Sequence, residues 1–373
     1  MTPSPDISSL LQERIDAGDF PSAVYLVWEK GRIRYLDAIG NAVVEPDLIP
    51  AKVDTIYDLA SVTKAVITTL IGAKLVEDGV VNVEDPISKF IDAGDKGSTT
   101  LGQLFSHSSG LPGWIPFYLL VNRREDVLDE IARTPFNADR QQVVYGDPNF
   151  WLITFVIEKV LGEAIDVSAK KMIVEPLGLK DTMFNPPVGL KSRLAAQERG
   201  TAFERQLCRD LGYDFTTNRV TGESPFRDEP IWGELHDNNG WYFGGVGGHA
   251  GVFSTAREVL KMATQFLPDY TSLLRPETCG LFTTNITSGR NEDRSFGFEL
   301  ASSPNTTAGM VMSRQSFGHL GFTGTSLWID PIEDRILILL TNRTHAHNLP
   351  LANMNPTRRR FHDLAVTALD RNS

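Results

Sequence analysis

The hydrophobic positions change period as the chain proceeds. Ile7, Leu10, Leu11 and Ile15 recur at helical spacing and predict a short amphipathic helix over Ser8–Ala17. Ala23–Trp28 is a strand, Lys30-Gly31 turns it, and Arg32–Ile39 returns it, closing on Gly40 as an antiparallel hairpin. Thr55–Leu59 is a short extended piece leading into an apolar helix that begins near Ser61 and stops at Asp78-Gly79, where glycine ends it. From there to about residue 250 helical patterns and long loops dominate. Helices are predicted over Thr99–His107, with Thr99 as N-cap, and over Glu125–Arg133, Asn149–Leu161 and Ala164–Ile173. Residues 188–240 are loop-rich and polar. That is long for irregular structure inside a domain, and the stretch is expected to cover a site. Beyond Gly251, a helix over Thr255–Phe266 and a shorter one within Pro268–Phe282 precede four strands: Ser295–Leu300, Gly309–Ser316, Thr325–Ile329 and Arg335–Thr341. The last contains Ile336-Leu337-Ile338-Leu339-Leu340, a continuous apolar run suited to a central strand covered on both faces. Pro356–Arg371 reads as a C-terminal helix.

Neither strand set alone makes a stable sheet, so the N-terminal hairpin and the C-terminal strands must share one. The expected fold class is α/β of the α+β kind: an antiparallel sheet flanked by helices, with a mainly helical domain inserted. The expected split is 1–78 plus 250–373 for the sheet domain and 79–249 for the insert.

Composition narrows the partners. The chain has 373 residues and a net charge of -11, a poor prospect for nucleic acid, whose phosphates need clustered cations. The one dense basic run, Arg358-Arg359-Arg360, reads as a solvated helix face. Two cysteines, Cys208 and Cys279, exclude a disulfide framework and a cysteine zinc site. The N-terminal residues show neither a basic region nor an apolar run, so no signal peptide is seen and the cytoplasm is the expected compartment. The longest apolar stretch, after Ser61, is interrupted by Lys74 and Glu77 and reads as a core helix, not a membrane span.

Three short motifs carry candidate chemistry. Ser61-Val62-Thr63-Lys64 places an amine one helical turn from a hydroxyl, giving the serine a local base or proton relay beside a helix N-terminus. The bland alternative is a serine N-cap. Tyr145-Gly146-Asp147 precedes a helix, and its plain reading is a turn with Asp147 as cap. His319-Leu320-Gly321-Phe322-Thr323-Gly324-Thr325 stands at the start of a strand, with Gly321 leaving room for a substrate backbone; its plain reading is a glycine-rich hairpin. Gly245-Val246-Gly247-Gly248-His249-Ala250 mimics a dinucleotide fingerprint but lacks the strand before it, and reads as a turn lining the domain junction. His345-Ala346-His347 lacks a third metal ligand at useful spacing and reads as a surface loop; His107 and His249 read as structural hydrogen-bonders. His236 is placed near the cleft without an assigned role.

Taken together and in this order, the Ser-x-x-Lys, tyrosine and small-residue strand motifs resemble the serine β-lactamase and penicillin-binding-protein superfamily. The tyrosine type is similar to class C β-lactamases, related carboxylesterases, D-aminopeptidases and low-molecular-weight penicillin-binding proteins. Leu104–Leu111, Glu175–Leu179, Gly247–Thr255 and Leu340–Arg343 extend the resemblance across roughly residues 20–345. It implies a β-lactamase/transpeptidase-like fold and no metal or cofactor. It implies that Ser61 is acylated, that Lys64 accepts or relays its proton, that Tyr145 is the partner base, and that the Ser61 and Phe322 N–H groups form the oxyanion hole. Asp147 and His319 depart from the family's usual asparagine and lysine. A carboxylate at 147 favours the ammonium form of Lys64. A histidine at 319, mostly neutral at pH 7, favours substrates without a carboxylate. The function expected is a serine hydrolase acting on a small ester, amide or peptide, esterase- or amidase-like. The alternatives are a D-amino-acid peptidase, a DD-carboxypeptidase or a β-lactamase, or a catalytically idle ligand-binding homologue.

Overall fold

The structure is a computed structural model and describes residues 2–213, 216–346 and 349–371. Its strands are β1 (Ser22–Glu29), β2 (Arg32–Val43), β3 (Ile49–Pro50), β4 (Tyr57–Asp58), β5 (Phe253–Ser254), β6 (Glu299–Leu300), β7 (Phe317–Leu320), β8 (Ser326–Asp330) and β9 (Arg335–Thr341). Seven of them form one antiparallel sheet in the order β3-β2-β1-β9-β8-β7-β6, while β4 and β5 pair separately. The N-terminal hairpin therefore lies beside the C-terminal strands, with Val24 opposite Leu340 and Leu26 opposite Ile338.

The period-2 alternation of β1 and β9 divides two cores. Ala23, Tyr25, Val27, Leu337 and Leu339 face a layer containing Ile7, Leu10 and Leu11 of the Pro5–Asp16 helix and Phe361, Ala365 and Leu369 of the Asn355–Asp370 helix. Val24, Leu26, Trp28, Ile336, Ile338 and Leu340 face the other way. They join Val62, Val66, Leu70 and Ile71, then Phe150, Trp151 and Ile153 of the Asp147–Leu161 helix, in one larger apolar cluster. Burial on both faces explains the unbroken apolar run in β9. No helix among the described residues is long and apolar enough to cross a membrane.

Four local expectations change. Gly309–Ser316 is not a strand. Gly309 adopts φ +88°, the Met310 and Val311 amides donate to Asp363 Oδ1 at 2.6 and 3.2 Å, and Ser313 Oγ donates to Asp330 Oδ1 at 2.7 Å. Side chains thus take the hydrogen bonds a ladder would need. His319 is consequently the third residue of β7, and Gly321–Thr325 is the turn into β8. The cap of the Leu101–Phe105 helix is Thr100, not Thr99: Gln103 N donates to Thr100 Oγ1, and Thr100 N donates to Gln103 Oε1. Within 188–240 a helix forms over Ala202–Asp210, its apolar positions interleaved with charges. Arg358 does not face solvent: it is 5% exposed, with Nη2 donating to the carbonyls of Gly321 and Thr325 at 2.7 and 2.9 Å.

Candidate active site

The chain reaches Ser61 through a clamped turn. Asp58 is fully buried, and its carboxylate accepts from the amides of Ala60 (2.8 Å) and His236 (2.9 Å). Burial pushes this carboxyl above its ordinary value, while the two amides oppose the rise. Ala60 sits at φ +47°, a left-handed conformation costly for a residue with a Cβ, immediately before Ser61. Val62, Thr63 and Lys64 then donate to carbonyls three residues back. The helix continues through a π-turn at Lys64–Thr69 before settling into α geometry over Leu70–Glu77.

Lys64 is completely buried. Its Nζ donates to Ser61 Oγ at 2.8 Å, to Asp147 Oδ1 at 2.7 Å and to the His249 carbonyl at 2.8 Å. Burial works against its charge, but Asp147 and Tyr145 outweigh it and hold the ammonium above its ordinary pKa. Lys64 is thus a three-way donor at neutral pH. The Gly245–Ala250 turn supplies the His249 carbonyl and also Gly248 O, which accepts from Thr68 Oγ1 at 2.7 Å.

Tyr145 stands over this pair, its ring centroid 5.2 Å from Lys64 Nζ. The His107 ring lies 4.4 Å from the Tyr145 ring, and His107 Nδ1 accepts from the Gly146 amide at 3.1 Å. His319 lies 5.8 Å from Tyr145, and the Arg294 guanidinium carbon is 5.3 Å from the same ring. His319 Nδ1–H donates to Leu320 O at 2.9 Å, leaving Nε2 as a buried acceptor without a partner. Burial first, then the charges of Lys64 and Arg294, hold His319 well below the ordinary histidine pKa, so its imidazole is neutral. Arg294 is 5% exposed; Nη2 donates to Glu292 Oε1 at 2.6 Å, and Nε has no partner. No motif announced Arg294: only the fold brings it to Tyr145.

The Gly321–Thr325 turn is pinned beneath Ser61. Thr323 Oγ1 donates to Asp58 O at 2.9 Å and Thr325 Oγ1 to Leu59 O at 3.2 Å. A Cβ on Gly321 would meet Thr325 Oγ1 at 1.9 Å and Leu59 O at 2.6 Å, so this position admits no side chain. Arg343 Nε donates to the Phe322 carbonyl at 2.6 Å. The Phe322 ring is flanked by His236 at 5.3 Å and Phe203 at 4.6 Å.

These groups line a cavity of about 810 Å³ that contains Ser61, Tyr145, Asp147 and His319 on its wall. The stretch expected to cover a site also lines it, through Phe203, Glu204, Leu207 and Leu211, then His236 and Asp237. His345 plays no part here; its Nε2 accepts from the Val44 amide at 2.9 Å and Nδ1–H donates to Gln197 O at 2.8 Å. His347 lies outside the described residues.

A half-buried serine hydrogen-bonded to a buried lysine one helical turn on, with a tyrosine ring standing over the pair, has the form of the penicillin-recognising serine proteins. The chain matches the Beta-lactamase family profile over residues 7–355 and belongs to that family. It is 30% identical over 371 residues to a protein of Escherichia coli named putative D-alanyl-D-alanine carboxypeptidase, covering 90% of this chain and 81% of that one. Its fold is similar to that of EstCE1, a hydrolase with promiscuous acyltransferase activity (TM-score 0.72, 20% identity, 95% and 96% of the two chains). It is also similar to a class C beta-lactamase from Rhodobacter sphaeroides (TM-score 0.69, 17% identity, 98% and 99%).

Proposed function

We propose that the chain is a serine hydrolase that forms an acyl-enzyme at Ser61 from an ester or amide. The observation that carries this is the 2.8 Å contact between Lys64 Nζ and Ser61 Oγ, held by two further acceptors. Because Lys64 is an ammonium, it does not take the serine proton. Tyr145 takes it as the phenolate, a form favoured by the adjacent ammonium, and becomes the phenol, while Lys64 stabilises the negative charge that passes to the substrate oxygen. Ser61 Oγ attacks the carbonyl carbon, and the resulting oxyanion lies between the N–H groups of Ser61 and Phe322. Tyr145 returns the proton to the leaving group, and water then releases the acyl group by the same steps in reverse. The division into 1–78 with 250–373 and an inserted 79–249 belongs to this reading, since both parts supply cavity wall. Hydrolysis of a short-chain nitrophenyl ester by wild type and not by Ser61→Ala supports it. Equal rates in the two proteins refute it, and no turnover of any ester, β-lactam or D-alanyl peptide leaves a ligand-binding homologue.

A second reading, a D-alanyl carboxypeptidase, is favoured by one observation. The neutral His319 supplies no charge for a substrate carboxylate, but the Arg294 guanidinium beside Tyr145 does. The names of the curated relatives point the same way. Release of D-alanine from a D-Ala-D-Ala peptide, compared with the same peptide as its C-terminal amide, separates the two readings.

A further inference from the structure

A further cavity lies behind the helix that follows Ser61 and shares no lining residue with the Ser61 cavity. It encloses about 310 Å³, the lower end of the roughly 300–1,000 Å³ usual for small-molecule sites. Its lining is largely apolar, from Ile67, Ala169, Val174, Met183, Phe184 and Val252. The Thr182 hydroxyl on its wall is already committed, donating to Glu258 Oε2 at 2.7 Å. Among the described residues no buried unpaired polar side chain lines it. Charge stands at its rim, where the exposed Lys170 and Lys180 outnumber Asp166. Lys170 has Glu175 at 3.8 Å, while Asp181, next to Lys180, is taken by Arg193 at 2.7 and 2.8 Å.

Two irregular helical turns border this cavity. Lys170 and Val174 bound one π-turn, whose Met172 and Ile173 line a smaller cavity of about 190 Å³. Protein interiors pack to crystal density with few such voids, and π-turns often mark functional sites. Ile67 belongs to the other π-turn, Lys64–Thr69, three residues on from Lys64. Val252 reaches both sides of Ser61: its carbonyl accepts from the Leu59 amide at 2.9 Å, and its amide donates to Thr63 Oγ1 at 3.2 Å.

We propose that this cavity is an effector site for a carboxylic acid with a medium-length apolar chain, its tail inward and its carboxylate at Lys170 and Lys180, and that occupancy favours the reactive arrangement at Ser61. The effect on turnover rests on acyl transfer at Ser61; the binding does not. An apolar tail leaves water and gives the cavity lining the contacts it lacks. The interior offers a polar head no partner, so the head stays at the mouth, where the lysines select an anion over a cation. A ligand shifts an arrangement only by binding it better than the alternative. Packing against Ile67 and Val252 as they stand favours the arrangement in which Lys64 contacts Ser61, and so raises turnover.

The probe is octanoate, with octan-1-ol and octylamine as its neutral and cationic counterparts. Calorimetry on the whole protein is expected to rank binding as octanoate, then octanol, then octylammonium. Lys180→Glu, a change at an exposed position, weakens octanoate about tenfold and leaves octanol unchanged. Ala169→Phe, which fills the cavity, removes both. At an octanoate concentration that saturates wild type, kcat for a short-chain nitrophenyl ester rises about two- to tenfold, and rises less in Lys180→Glu. Absence of octanoate binding overturns the site. So does binding that is lost in Arg294→Gln and kept in Lys180→Glu, because the acid then occupies the Ser61 cavity. Binding in the expected order with kcat unchanged or lowered overturns the effector role. A wild type that hydrolyses no ester refutes the hydrolase separately, and the calorimetric arms still decide the site.

Discussion

Two groups of cavity-lining residues manage charge differently. One gathers Tyr145, the neutral His319 and Arg294 with its ion-pair partner Glu292; the other gathers Glu204 and Asp237. The first leaves Arg294 Nε and His319 Nε2 unpaired, whereas the Glu204 carboxyl of the second has the Tyr118 hydroxyl beside it. A buried polar group without a partner typically costs about 1–3 kcal/mol, so a fold chosen for stability alone would have filled these places with carbon. The first keeps a permanent cation and suppresses a titratable one. The second keeps one carboxylate and suppresses another.

The largest expected effect falls on the lysine that contacts Ser61 directly. Lys64→Met removes the donor shared by Ser61, Asp147 and His249, and esterase kcat is expected to fall by about 10³-fold or more. A fall below tenfold, read by steady-state kinetics on the folded protein, would show that Tyr145 works without the ammonium. Next, Arg294→Gln should lower the preference for a carboxylate-terminated peptide over its amide by about 10- to 100-fold. An unchanged ratio would leave the first group without a ligand.

Two smaller effects set the groups against each other through pH. The folded pKa of Glu204, raised by burial and by Asp237 to about 8, lies above its ordinary 4.5. Its contribution to stability is full below about 4.5 and is lost as pH rises through about 8. Urea midpoints of wild type should therefore decline between pH 5 and 8.5 more steeply than those of Glu204→Gln; parallel slopes would contradict the assignment. His107 and His319 run the other way. Both are held well below 6.5 by burial first and nearby cations second. The unfolded chain binds the extra protons, so stability falls as pH drops below about 6.5, by up to about 1.4 kcal/mol per pH unit for each histidine. His319→Asn should flatten that limb, and an unaltered acid slope would mean that its imidazole is charged in the fold.

The motifs legible in the sequence were local or lay on one strand. Ser61 and Lys64 are one helical turn apart, and the apolar run of β9 fixes that strand wherever the chain goes. Tyr145 and His319 were recognisable only as part of an ordered set. Arg294, Glu204 and Asp237 carry no such mark, because the fold and not a local motif brings Arg294 to Tyr145, Glu204 to the Asn238 amide and Asp237 to His249. The Ala202–Asp210 helix was legible in principle, with Phe203, Leu207 and Leu211 at spacings of four, but its charged residues made it read as loop. Arg358 was misread for the opposite reason: a basic run on a helix suggests solvent, and nothing local shows that Gly321 and Thr325 would present carbonyls to it.

The pairing of β1 with β9 also sets a schedule. The centre of the sheet joins residues 23–29 to residues 335–341, so a ribosome must deliver most of the chain before the middle of the fold can close. The turn that pins Leu59 and Asp58 through Thr323 and Thr325 arrives in the same late interval. Contacts so far apart in sequence close slowly, and during synthesis the Ser61 turn exists without its platform. On the proposed mechanism, competence to react is therefore among the last properties this molecule acquires, and a half-made chain carries Ser61 without the turn that supports it.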